Sequence, residues 1–204
     1  MLFLYPYFEG YQTFREELLR TFFVLVLFTA VYAMSDSKKH LVGAIALGLP
    51  VLLLNIADFF FLDGVILWRL GMFIVFNLYV IRTILLEVLR RERTTRETLS
   101  GAVCVYLLIG MTWGAGYYLL ETVLPGSFHS DALHNIAIKN NFVWTDFVYV
   151  SFVNLTTMGY GDIVPVTSQA RSLCIMEAVV GVLYIAVMIS RLATLYRSPG
   201  DPRC

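Results

Sequence analysis

The sequence predicts an all-α membrane protein. It has about five transmembrane helices, a short re-entrant helix and a glycine-containing loop before the last span. Three observations lead there. Of the 204 residues, 58% are hydrophobic and only 15% are charged, whereas a soluble domain has about a quarter of its residues charged. Several apolar stretches reach the ~17 residues of the shortest spans. Residues 156–162, Thr-Thr-Met-Gly-Tyr-Gly-Asp, lie between the last two of those stretches.

The elements follow in order. Residues 18–34 form a first span near the minimum length, closed by the polar loop 35–40. Residues 41–57 form a second; it contains Pro50, which membrane helices tolerate when neighbours re-satisfy the backbone. A phenylalanine-rich turn at 58–63 leads to a third span at 64–89 and the basic loop 90–97. Residues 99–120 form the fourth, and 121–141 are polar. Residues 144–156 then read as a helix of about 13 residues, only about 20 Å long, which is too short to cross a ~30 Å bilayer core. It is expected to re-enter. Residues 169–196 form the fifth span and a short tail ends the chain. The organisation is thus an amino-terminal membrane region, 1–97, with about three helices, and a second module, 98–204.

The formal net charge of zero offers nothing to nucleic acid. The cysteines Cys104, Cys174 and Cys204 are scattered and odd in number, which argues against a disulfide framework or a metal cluster. No set of nucleophile, base and oxyanion donors is evident, so no enzyme is expected, and no organic cofactor. Residues 1–17 lack the basic start and clean apolar core of a cleavable signal.

Residues 156–162 carry a specific chemistry. Gly159 and Gly161 can adopt positive φ and unusual backbone angles, which lets successive carbonyls point the same way. Thr157 adds a hydroxyl oxygen. Oxygens stacked like this can replace the hydration shell of K⁺. The run closely resembles the selectivity filter of tetrameric potassium channels, with Met158 where Val or Ile is more usual. The resemblance continues through Asp162-Ile163-Val164-Pro165-Val166-Thr167 and covers about residues 98–196. It implies a two-helix pore module: outer helix, pore helix, filter and inner helix. It also implies K⁺ ions held by Thr157, Met158, Gly159, Tyr160 and Gly161, and three identical partner subunits, because one filter per chain needs four copies around an axis.

Further roles carry over residue by residue. Thr156 and Tyr149 support the filter, and the Tyr149 hydroxyl is placed to reach Asp162 at the outer mouth. Gly181 falls at the family's gating-hinge position, where hinge flexibility and close helix packing are equally good reasons for glycine. Val182, Ile185, Ile189 and Ala193 share a helical stripe that the resemblance turns toward the pore. Glu177 is a carboxylate within a span, and such groups are rare and often functional. Its expected partners are Asn154, Thr156 or a tyrosine. Its protonation is a candidate tuner of conductance or inactivation, against a fixed structural hydrogen bond.

The resemblance puts the filter outside, and so the amino terminus outside. The inner loops and tail then hold nine Lys and Arg against four on the outer side, as the positive-inside rule requires. In the third span Arg69 and Arg82 are too far apart for a voltage sensor, which needs cations through the field. The expected function is passive, potassium-selective conduction by a homotetramer in a lipid bilayer, in a plasma membrane of prokaryotic type. A weakly selective cation channel and a non-conducting regulatory subunit are the alternatives. Isolated His40, His129 and His134 specify no metal site.

Overall fold

The computed structural model describes residues 48–49, 66–90, 96–130 and 142–196. The first two expected spans lie outside the described residues, apart from Gly48 and Leu49. The described elements are helical except for one short ladder: α1 (Ile66–Arg90), α2 (Arg96–Val123), β1 (Phe128–His129), α3 (Trp144–Leu155), β2 (Val164–Pro165) and α4 (Ser168–Tyr196). The protein is an all-α membrane protein. Three helices are long and apolar enough to cross a bilayer among the described residues: Ile66–Arg90, Thr98–Val123 and Ser168–Arg191.

The chain divides into two compact units, Met1–Val80 and Ile81–Cys204. In the first, Leu70, Phe76 and Val80 are buried and the Phe76 ring lies against Gly48. Leu67, Trp68, Val75 and Leu78 are exposed, as lipid-facing residues of a span would be. Asn77 is buried in this apolar setting, and its amide donates to the Phe73 carbonyl one turn back at 2.9 Å. The polar group is thereby satisfied within its own helix.

The second unit is organised along α2. Three apolar clusters succeed one another on that helix. Ala102 packs with Val88 and Met188. Val105 and Ile109 pack with Leu155, the last residue of α3. Tyr117 packs with Phe128, Phe142, Phe147, Val150 and Ala170. Two glycines one turn apart let α3 come close. A Cβ on Gly110 would meet the Phe152 ring at 2.8 Å, and one on Gly114 would meet the Val148 backbone at 3.0 Å. Small residues four apart open such a seat in membrane helices. The start of α3 is fixed by Asp146, whose carboxylate accepts the Val143 amide at 2.9 Å and sits favourably at the helix amino end.

A small clasp closes the end of α2 that carries Val123. Gly126, at φ 88°, turns the chain after α2. The Glu121 carboxylate accepts the amides of Gly126 at 2.7 Å and Phe128 at 3.1 Å. Antiparallel pairing then joins Phe128 to Pro165 and His129 to Val164, and the Val166 amide donates to Ser127 at 2.8 Å. At the other end, the Tyr184 hydroxyl donates to Ala102 at 2.6 Å, and the Arg191 guanidinium donates to the Leu89 carbonyl at 2.7 Å.

Candidate functional site

Residues 156–162 leave α3 under tight backbone control. The Thr157 amide donates to Asn154 at 2.9 Å, and the Met158 and Gly159 amides both donate to the Val153 carbonyl, at 2.9 and 3.4 Å. Every second residue that follows has a left-handed backbone: Thr157 at φ 59°, Gly159 at φ 59° and Gly161 at φ 76°. Alternating hands reverse the peptide rotation at each step, so successive carbonyls face one side. For a β-branched threonine this conformation costs about 1–3 kcal/mol and persists only where its surroundings impose it. Thr157 is the single non-glycine residue with positive φ among the described residues.

The whole run is exposed on a single chain, with Met158 at 55% and Tyr160 at 63%. Tyr149 supports it from α3. Its ring stacks on Tyr160, with centroids 6.5 Å apart and planes within 8°. The Tyr149 hydroxyl is pushed up to about 12, first by burial and then by its hydrogen bond to Asp162. The expected Tyr149–Asp162 pair is therefore present in one chain.

Behind α3 lies a buried polar cluster. Glu177, fully buried on α4, is hydrogen-bonded by the Tyr117 hydroxyl at one carboxyl oxygen and by Ser151 at the other. Ser151 also lies 2.6 Å from the Gly110 carbonyl. The Asn154 amide reaches the Tyr117 hydroxyl at 3.5 Å, and Asn154 is a further hydrogen-bond partner of Glu177. Cys174 packs beside this cluster, against the apolar group around Tyr117 and Phe147. Of the expected partners of Glu177, a tyrosine and Asn154 are found. Thr156 is not one of them: its hydroxyl donates to the Phe152 carbonyl at 2.6 Å. Ser151 was not expected, although a serine within an apolar helix was the available sign.

Gly181 sits on the packed face of α4 rather than with the predicted pore stripe. A Cβ there would meet the Leu155 carbonyl oxygen at 2.8 Å and its Cδ1 at 2.9 Å. Close packing is thus sufficient reason for this glycine. The packed face runs Ala170, Cys174, Glu177, Gly181, Tyr184, Met188 and Arg191, alternating steps of four and three. Val182, Ile185, Ile189 and Ala193 all lie on the exposed side.

Residues 105–198 match the family model described as "Ion channel". No curated protein and no solved structure matches the chain. The match takes in α3, the 156–162 run and all of α4, and it omits the start of α2. Together with the apolar helices it indicates a multi-pass membrane protein with ion-channel activity.

Proposed function

We propose that the chain is a potassium-selective channel that conducts passively as a homotetramer, in a plasma membrane of prokaryotic type. The alternating left-handed backbone at Thr157, Gly159 and Gly161 carries this reading. It aligns carbonyls of Thr157, Met158, Gly159 and Tyr160 as a ladder for dehydrated K⁺, with the Thr157 hydroxyl adding an oxygen. Asp162 and Tyr149 brace the outer end, and Val182, Ile185, Ile189 and Ala193 line the inner passage. Assembly follows from the ladder itself, because one chain supplies one column of carbonyls and a ring around a dehydrated ion needs several.

The test is the reversal potential of purified protein in planar bilayers under bi-ionic K⁺/Na⁺ conditions. A value near the K⁺ limit is expected. Clear current reversing near zero would overturn selectivity and leave a general cation channel whose wall is loosened at Met158. Light scattering of the purified protein should give four copies, and a monomer would sink the assembly.

A further inference from the structure

We propose that Glu177 is a neutral carboxylic acid that donates a proton to Ser151, and that in this form it positions α3 and the run that follows it. The proposal rests on the channel reading only for its conduction readout.

Counting hydrogens leads to it. A serine hydroxyl has one proton to give. The Ser151 oxygen is 2.6 Å from the Gly110 carbonyl, which has none, and is also hydrogen-bonded to Glu177 Oε1. One proton cannot serve both contacts. If Ser151 donates to Gly110, the contact with Oε1 needs a proton on the acid. The other oxygen, Oε2, already accepts from the Tyr117 hydroxyl, and that hydroxyl accepts from Asn154 Nδ2. The bonds then run one way, from Asn154 through Tyr117, Glu177 and Ser151 to the Gly110 carbonyl. Each hydroxyl proton in this chain is used once, and the second amide proton of Asn154 remains for its bond to Glu177.

The opposite assignment fails twice. An ionised Glu177 takes the Ser151 proton and leaves two bare oxygens, on Ser151 and Gly110, 2.6 Å apart. It also leaves a fully buried charge with no cation among its hydrogen-bond partners Tyr117, Ser151 and Asn154. A buried unpaired charge is far more costly than a buried hydrogen-bonded acid. The titratable groups facing Glu177 among the described residues are Tyr106 and Tyr117 from α2 and Cys174 from α4 itself. From α3 come Ser151 and Asn154, which do not titrate.

Because the acid grips Ser151 and its bond partner Tyr117 touches Asn154, it holds the last two turns of α3. Those turns fix the amides of Thr157, Met158 and Gly159. Glutamine reproduces the neutral pattern, with its NH₂ toward Ser151 and its carbonyl toward Tyr117. Alanine reproduces none of it.

The experiment is infrared spectroscopy of the purified full-length protein at neutral pH, with thermal unfolding of the variants. A protonated carboxyl C=O band is expected in the wild type. It should vanish in Glu177→Gln and shift in Ser151→Ala, which removes the acceptor. Glu177→Gln should unfold with the wild type, while Glu177→Ala unfolds earlier. In bilayers the wild-type current should decline at alkaline pH, and Glu177→Gln should lose that decline. Absence of the wild-type band, or a Glu177→Gln protein as unstable as Glu177→Ala, would overturn the proposal. The band and unfolding results need no current, so a silent protein with the expected band would count against the channel reading alone.

Discussion

Met158 and Tyr160 are 55% and 63% exposed, whereas Glu177, Ser151 and Tyr117, which hold α3 in place, are each at 0%. Glycines divide along the same line. Gly159 and Gly161 are surrounded by open space and required by their positive φ, while Gly181 has an ordinary φ and no room for a Cβ. One region is conformationally demanding and sterically empty, and the other is relaxed and full. A single chain therefore completes the support for the 156–162 run but not its enclosure. The front is finished only by whatever covers Met158 and Tyr160.

This contrast can be broken from either side. The largest effect is expected at the run itself. Gly159→Ala or Gly161→Ala forces a left-handed alanine, at about 1–2 kcal/mol per residue, and four copies share the passage if the assembly is tetrameric. Bi-ionic reversal potentials should move toward zero or the current disappear, with folding intact. Unchanged selectivity would refute the carbonyl ladder. Next comes Gly181→Ala, where the added methyl meets the Leu155 backbone oxygen as well as its side chain. Overpacking of this kind costs about 1–3 kcal/mol. It should appear as a lower unfolding temperature, and a purely gating phenotype at full stability would restore the hinge reading.

Ser151→Ala sharpens the comparison. It strips the Glu177 acid and the Gly110 carbonyl of a partner in a fully buried site, so a loss of about 1–3 kcal/mol is expected in denaturant unfolding. A neutral outcome would mean that water or another group can fill in. The smallest effect belongs to Tyr149→Phe, which deletes the hydroxyl bonded to Asp162 on a partly exposed ring. The hydroxyl is raised to about 12, so the stability that it adds is fully present below its ordinary value of about 10 and is lost only as pH climbs from there toward the raised one. The difference between wild type and Tyr149→Phe should therefore be flat across neutral pH. A change near neutrality would put the pair in doubt.

Much of the architecture was legible because bilayer thickness imposes a length on apolar segments. The span expected at 64–89 is α1, Ile66–Arg90; that at 99–120 lies within α2, Arg96–Val123; that at 169–196 is α4, Ser168–Tyr196. The short helix expected at 144–156 is α3, Trp144–Leu155, set off by its length alone. The facing of α4 was legible from the resemblance but not from periodicity, because that helix is apolar all round. Glu177 stood out as a carboxylate in a span, but its partners are 26 and 60 residues away, and no local pattern encodes such pairings. Gly110 and Gly114 have their role only through the approach of α3.

The contact of Gly181 with the Leu155 carbonyl also has a mechanical side. It is one of a series of fastenings along α4: Glu177 to Ser151, Tyr184 to Ala102 and Arg191 to Leu89. They are spread over about 21 Å of helix axis. A rod held at several points cannot tilt about one of them without loosening the others. α4 is therefore a strut, and a push at one of its ends is felt at the other.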